Sequence, residues 1–405
     1  MELLTARYLL TEPGRLLLAE ASVLLAAKAE PVVALTRLRK SASPEIAAAA
    51  WEMAASRRKG VRKFGESAAG MYFIGEALEQ ASSAGAAAYH AARFASVGII
   101  SLTDLCGGVG GDAIAFARAG LQVTVVERDP ARALFAAENA RALDLDSKIA
   151  VHCADAIDFP VTTEAVWFDP ARRVDKRRVV SPEDYSPPLS LVNDLRDRGI
   201  EHIGVKLAPG IDHSVAEQMD AGLEFLSDEG ECKESLFWTG RLRAPEAVRA
   251  TVLRPDGVQA LAGAPDEDTD FIPPAPSDEG GYLYEPDPAV IRAHLIRTLA
   301  HDLNAAPVDP QIAYLIAPEL FPTPFATAYE IVERFAYHFK VLQKALNARG
   351  VGRVVVKKRG VPHDPEAVIK QLKLKGSDEM TVVLTRMGDK QIAILCRRIN
   401  EDKSK

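Results

Sequence analysis

At 405 residues the chain is too long for one compact core, so two or three domains are expected. Its composition, 48% hydrophobic and 26% charged, is ordinary for a soluble globular protein. The net charge of −7 alone argues against a nucleic-acid partner, yet residues 331–405 hold 17 Lys and Arg against 8 Asp and Glu, a surplus of +9 that leaves −16 elsewhere, the pattern of a basic binding module joined to an acidic enzyme.

Glu2, Arg7, Glu12, Arg15 and Glu20 interrupt the apolar N-terminus, so neither a signal peptide nor a spanning helix fits, and a cytoplasmic location is expected. Cys106, Cys153, Cys232 and Cys396 are scattered, without a Cys-x-x-Cys pair or nearby His spacing, which favours free thiols and no metal site. Residues 1–95 are Ala/Leu-rich and predict a helical domain. One helix is capped by Ser43-Pro44-Glu45, runs through Ile46–Lys59 and stops at Gly60. Another covers Glu76 to Phe94. Arg57, Arg58, Lys59, Arg62 and Lys63 complement a helix C-terminus or, less simply, contact RNA.

From Val97 short apolar runs alternate with helical stretches: Ile99–Cys106, Asp112–Ala119, Gln122–Glu127, Pro130–Leu143, Ile149–Cys153, Ala165–Asp169 and His202–Leu207. That rhythm predicts a parallel α/β sheet over about residues 96–260. Further strands fit Gly222–Leu226, Glu234–Trp238 and Ala247–Leu253. Residues 261–324, rich at Gly263–Pro288 in Asp, Glu, Pro and Gly, predict an acidic linker and connecting segment. Residues 325–405 predict a small basic α/β domain. It comprises a helix over Ala326–Ala348, a strand at Arg353–Lys358, a helix opened by Asp364-Pro365, and strands Thr381–Arg386 and Gln391–Arg397 joined through Gly388-Asp389.

The chemistry concentrates in Asp104-Leu105-Cys106-Gly107-Gly108-Val109-Gly110-Gly111-Asp112. Four glycines between a strand and a helix allow a tight turn and let a nucleotide-like ligand approach the helix amides. Gly108-x-Gly110-x-x-Ala113, with Glu127 downstream, also satisfies the dinucleotide fingerprint, so a nicotinamide-dependent (NAD) oxidoreductase stands as an alternative. Against it, Asp104 precedes the glycines, where a carboxylate repels pyrophosphate but attracts a ligand carrying an amino group and a sulfonium. Asp155 places a further acid at the carboxyl edge of the third strand, suited to an adenine amino group.

The series Asp104-x-Cys-Gly-Gly-x-Gly, Val125-Val126-Glu127-x-Asp129-Pro130, Asn139-Ala140, Asp155-Ala156 and Asp169-Pro170 resembles the ordered motifs of class I S-adenosylmethionine-dependent methyltransferases. The resemblance implies a Rossmann-like sheet with helices on both faces and S-adenosylmethionine as cofactor. It implies that Asp104, Gly107, Gly108 and Gly110 hold the methionine part, Glu127 the ribose and Asp155 the adenine, with Cys106, Asp112, Arg128 and Ala156 beside them. The helical N-terminal part, Tyr282–Asp287 and Val356–Gly360 further resemble bacterial methyltransferases with a THUMP-like C-terminal domain, which implies an RNA substrate.

By the same resemblance Asp169-Pro170 marks the catalytic position. Lys206, at the next strand's edge, is either a further catalytic residue or a solvated or structural lysine. Base-nitrogen methyltransferases often carry Asn/Asp-Pro-Pro-Tyr/Phe there; Ala171 and Arg172 replace the second proline and the aromatic. Base-nitrogen methylation stays the favoured chemistry, and a non-catalytic RNA-binding protein that keeps a cofactor pocket is a third reading. A small-molecule or protein acceptor also stays open. No cysteine follows the fifth strand, so a covalent route through thiolate has no candidate. Arg172 and Arg173 beside the centre are either a solvated basic face or RNA phosphate contacts, and Lys357, Lys358 and Arg359 in the basic domain are further candidate contacts.

Overall fold

Side-chain caps and early prolines set the helices that open the chain. Thr11 accepts from the Gly14 amide ahead of α2 (Glu12–Ala26), and Ser43 accepts from Ile46 ahead of α4 (Pro44–Phe64). Both helices carry proline in the first turn, where its missing N–H leaves no bond unmade. With α1 (Leu3–Leu10) and α3 (Pro31–Leu38) they bury Leu9, Leu17, Leu18, Leu38 and Met53. α4 does not stop at Gly60. That glycine is needed for packing, since a Cβ there would lie 3.1 Å from the Phe73 ring. The helix ends instead at Gly65, whose φ of 59° suits glycine. The helix expected from Glu76 to Phe94 is two, α5 (Gly75–Gln80) and α6 (Ala84–Ser96), because the Ser83 hydroxyl caps a fresh N-terminus by accepting from Ala86.

The computed structural model describes residues 1–171, 173–174, 177–178, 181–266 and 280–399. Two units divide the chain: Met1–Leu223 with Ser235–Pro245, and Glu224–Glu234 with Glu246–Lys405. In the first, β1 (Ser101–Leu105), α7 (Gly111–Arg118), β2 (Gln122–Val126), α8 (Pro130–Ala142), β3 (Ile149–His152) and β4 (Ala165–Phe168) follow the expected alternation. After the two-residue strands β5 (Arg173–Val174) and β6 (Arg177–Arg178) come α9 (Leu191–Asp197), β7 (His202–Leu207) and α10 (His213–Gln218). The parallel strands lie in the order β3-β2-β1-β4-β7, and the end of β9 (Glu231–Trp238) pairs antiparallel with β7. Leu102, Val123, Val125, Val166, Trp167, Phe168, Ile203 and Val205 are buried, the near-continuous apolar run of strands covered on both faces. The order reverses between β1 and β4. At such a switch point the following loops diverge and open a crevice at the carboxyl strand ends.

In the second unit β8 (Gly222–Asp228), β10 (Val248–Arg254) and β11 (Gly257–Gly263) include a tight antiparallel hairpin, Arg254 facing Gly257. The expected linker is largely structured. Residues 267–279 lie outside the described residues, but β12 (Tyr282–Pro286), α11 (Pro288–Arg292), α12 (Ile296–Asp302), β13 (Ala306–Asp309) and β14 (Ile312–Ala317) follow. The expected helix Ala326–Ala348 is also corrected: its first half is β15 (Ala326–Ala336) and only Phe339–Ala348 is helical, as α13. Tyr329 and Ile331 alternate with exposed Glu330, and β12 and β18 (Lys390–Arg398) pair on either side, so the strand satisfies both edges. β16 (Val351–Lys358), α14 (Pro365–Leu372) and β17 (Asp378–Met387) complete a seven-stranded sheet ordered β13-β14-β12-β15-β18-β17-β16. One core holds Leu342, Leu346, Val368 and Leu372 of the helices with Val382, Leu384 and Leu395 of the strands. Another gathers Val383, Ile392 and Ile394 with Leu283 and Tyr329. Successive residues of β17 and β18 therefore enter different cores.

Candidate active site

β1 carries Asp104 to its carboxyl end, 2% exposed, and the chain turns sharply beyond it. Cys106, Gly108 and Gly110 all take positive φ, and Gly110 is the left-handed cap from which α7 starts. The amides of Cys106 and Gly107 both donate to the Val126 carbonyl, tying the loop to β2 at 2.9 and 3.2 Å. At Gly107 a Cβ would stand 2.6 Å from Val125 Cγ1 and 3.1 Å from Asp104 Oδ2, so only glycine passes over this carboxylate. Among the described residues Asp104 Oδ2 is buried without a hydrogen-bond partner. Burial first, then the carboxylates of Asp112, Asp169 and Glu127, push its carboxyl well above the usual range.

Glu127, at the tip of β2, is buried and fastened to the loop: Oε2 accepts from the Gly108 amide at 3.0 Å and Oε1 from Asp129 at 2.8 Å. Burial raises its carboxyl, partly offset by those amides and Arg132. Asn139 of α8 fixes the loop from the other side. Its amide donates to the Val109 carbonyl at 2.9 Å and to Tyr72 O at 3.0 Å, and accepts from Tyr72 N at 2.7 Å. The helical N-terminal segment is thereby bonded to the glycine loop. Asp155 is exposed, its Oδ1 accepting from the Ile157 amide, and Ala156 beside it is buried. Arg128 donates to the Ser186 hydroxyl at 3.0 Å. The Cys106 thiol is pushed well up by burial and then by Glu127, Asp104 and Asp169, so it stays protonated.

At β4, Asp169 follows the buried Phe168, and Pro170 is buried after it. Asp169 Oδ2 pairs with Lys206 Nζ of β7 at 2.6 Å; the aspartate side chain keeps 24% exposure and the lysine 5%. Lys206 also donates to the Ser82 hydroxyl at 3.1 Å and to the Gln80 carbonyl at 3.3 Å. Ser82 in turn donates to Asp112 Oδ2 at 3.1 Å, and Asp112 Oδ1 lies 3.0 Å from His90 Nδ1. Burial alone would raise the Asp112 carboxyl, but the hydrogen bond and charge of His90, with Lys206 and Ser82, hold it below the ordinary value. Lys63 enters from α4, donating to the carbonyls of Leu78, Glu79 and Ala81; burial and then Lys206 lower its ammonium to about 8.

The structure brings Asp104, Glu127, Asp169 and Lys206 near one another, and it adds Ser82, His90 and Gln80, which the sequence does not single out. Ser82-Ser83 ahead of an alanine-rich run is a helix-start signal. Nothing local ties it to a lysine 124 positions away. The basic cluster of α4 turns partly inward: Arg57 donates to the Met71 carbonyl and lies over the Tyr72 ring. Arg172 lies outside the described residues, and Arg173 sits in β5 opposite Arg178. In the second unit Lys357 pairs with Glu285 at 2.6 Å, Arg359 lies 3.8 Å from the same carboxylate and over the Tyr314 ring, and Lys358 is exposed.

This donor set suits a cationic nucleoside. An orphaned buried carboxylate oxygen, three further carboxylates near it and a glycine cradle stabilise positive charge, whereas a pyrophosphate would meet Asp104 head-on. Among the described residues no His/Cys/Asp/Glu group fits a metal ion, and no helix is long and apolar enough to cross a membrane.

Comparison with known proteins gives three family matches. A model described as RNA cap guanine-N2 methyltransferase matches residues 99–189, one described as THUMP domain-like matches 326–398, and a domain of unknown function matches 2–60. Over 319 residues the chain is 32% identical to an uncharacterized S-adenosylmethionine-dependent methyltransferase of Mycobacterium tuberculosis, covering 78% of this chain and 85% of that protein. The protein of a second M. tuberculosis strain matches equally. A crystal structure from Porphyromonas gingivalis, of a protein assigned as a methyltransferase, aligns with a TM-score of 0.73 over 98% of both chains at 22% identity, which shows a common fold.

Proposed function

Because the chain belongs to the S-adenosylmethionine-dependent methyltransferases, we propose that its methyl acceptor is RNA, taken at a base nitrogen. The observation that carries this reading is the pairing, in one chain, of a match to an RNA guanine-N2 methyltransferase model with a match to a THUMP-like model. The +9 surplus of residues 331–405 agrees with a polyanionic partner. The nicotinamide and non-catalytic alternatives give way to the family.

Asp104 would face the positive methionine end, its unpaired oxygen taking the charge of an ammonium or sulfonium. Glu127, already aimed by the Gly108 and Asp129 amides, would take the ribose hydroxyls, and Asp155 at the rim the adenine amino group. When bound, the donor supplies a methyl group made electrophilic by its sulfonium, so the protein's task is alignment and exclusion of water. Asp169 is the residue for the acceptor side. Its partly exposed carboxylate, anchored by Lys206, would accept a hydrogen bond from an amino nitrogen and take the proton that nitrogen sheds on methylation. Without an aromatic after Pro170, the stacking that holds a base must come from elsewhere in the chain.

The test is tritium-methyl transfer from labelled S-adenosylmethionine onto RNA from a strain lacking the gene, followed by nucleoside analysis. Label is expected in an N-methylated base. Label confined to the protein or small-molecule fractions of the same lysate sinks the RNA reading.

A further inference from the structure

Outside the usual strand-tip acids lies a chain of buried polar groups that sequence reasoning did not anticipate. It runs from α6 through α7 and the α5–α6 junction to β7 and β4. Its hydrogen-bond directions follow from which groups can donate. A lysine ammonium only donates, so the Ser82 oxygen accepts from Lys206 and its own hydrogen must go to Asp112. A carboxylate only accepts, so His90 presents Nδ1–H to Asp112. Among the described residues Lys206 donates to Gln80 O, Ser82 Oγ and Asp169 Oδ2. Lys206 thus acts on the acceptor side through Asp169.

We propose that Ser82 is a positioning residue for methyl transfer: its hydroxyl, held by the His90–Asp112 pair, fixes the Lys206 ammonium and so the position of the Asp169 carboxylate. The proposal rests on the reading that Asp169 faces the acceptor. Three observations support it. His90, Asp112, Ser82 and Lys206 are all buried, which makes the bonds among them directional and costly to leave unmade. The His90 ring is itself clamped on Trp167 of β4, with centroids 4.4 Å apart, so the anchor belongs to the strand that ends in Asp169. Finally, Ser82 lies between two helices rather than inside one, at a junction fastened by the bonds of Lys63 to the Leu78, Glu79 and Ala81 carbonyls. The helical N-terminal segment thereby becomes part of the acceptor site.

The experiment compares Ser82→Ala, Ser82→Thr and Asp169→Ala in the full chain. Cofactor affinity is measured by calorimetry and folding by thermal melting. Methyl transfer is measured onto the RNA, protein and small-molecule fractions of a strain lacking the gene. Ser82→Ala should lower kcat by about 10- to 100-fold, the scale of a mispositioned reacting group. KM and cofactor Kd should stay near wild type, while the melting midpoint falls modestly because the variant leaves buried donors and acceptors unmade. Ser82→Thr, which keeps the hydroxyl, should recover most of the loss. A kcat for Ser82→Ala within about twofold of wild type while Asp169→Ala is inactive, or no recovery by Ser82→Thr, overturns the relay and leaves the Asp169 reading standing. If Asp169→Ala is fully active, the reading beneath it falls as well. Label on a fraction other than RNA removes the proposed acceptor but leaves the relay comparison intact.

Discussion

Two buried aspartates only eight positions apart carry their charge in opposite ways. On the glycine-loop side Asp104 has an oxygen with no hydrogen-bond partner among the described residues; burial and the carboxylates of Asp112, Asp169 and Glu127 outweigh Lys206, so its charged form is disfavoured. On the side of β4 and β7 Asp112 is bonded by His90 and Ser82, and its charged form is favoured despite equal burial. Burial sets the stakes in both cases, and the partners decide the sign. The unpaired carboxylate holds unfavourable energy that a cation relieves on binding. The paired one holds a geometry in place before anything binds. On the proposed reading, the Asp104 side of the site serves affinity and the Asp112 side alignment.

Substitutions on the two sides should therefore move different constants. The largest effect belongs to Asp169→Ala, expected to lower turnover by about 10²- to 10⁴-fold as for loss of a proton acceptor. Cofactor Kd should hardly move; steady-state rates beside calorimetry check this, and a parallel loss of affinity would merge the two sides. Next comes Asp104→Asn, which keeps the shape and removes the charge. Loss of a hydrogen bond to a charged group is worth about 1.5–3 kcal/mol, so cofactor affinity should weaken by roughly 10- to 150-fold with kcat at saturation little changed.

The pH behaviour of Asp104 sharpens the comparison. Its carboxyl is raised, so the folded protein without ligand retains a proton that the unfolded chain has lost. The stability this group contributes is present at low pH and is lost as pH rises through the raised value. Asp104→Asn should remove that loss and leave the ligand-free protein more stable than wild type at neutral pH, read by thermal melting. Cofactor affinity follows the reverse course. It should climb with pH as Asp104 ionises, and calorimetry from acid to mildly alkaline pH should find the climb flattened in Asp104→Asn. A flat wild-type profile would mean that the cation lies elsewhere.

How much of this was legible in the sequence depended on distance along the chain. β1, the glycine loop and α7 are local, so periodicity, glycine content and a charged strand end sufficed. The parallel sheet followed from the alternation of short apolar runs with helical stretches, while its strand order is seen only in the fold. Only a strand edge points to Lys206 in the sequence; its 2.6 Å pair to Asp169 is seen only in the fold. The failures were of two physical kinds. Ala326–Ala336 has enough alanine and glutamate to pass for helix, and only its two flanking strands make it β. Ser82 and His90 owe their role to contacts 22 to 126 positions apart, counting the Gln80 carbonyl beside them, and no local pattern encodes those.

Glu127 and Asp155 give the smaller effects and test whether burial or mere position sets affinity. Both stand near strand tips expected to face the nucleoside, yet Glu127 is buried and held by two amides while Asp155 is exposed in its own turn. Glu127→Gln retains an oxygen acceptor but weakens those charge-assisted bonds, and should cost about 1–1.5 kcal/mol, roughly tenfold in Kd. Asp155→Ala removes a solvated carboxylate whose bond to an adenine amino group replaces one to water. The net value of such an exchange is about 0.5–1 kcal/mol, so Kd should rise only two- to fivefold. Asp155→Asn keeps an oxygen for both the Ile157 amide and the adenine, and should lie between Asp155→Ala and wild type. If Asp155→Ala instead weakens binding as much as Asp104→Asn, the rim must close over the nucleoside and bury that carboxylate, and the exposure of residue 155 would describe only the ligand-free state.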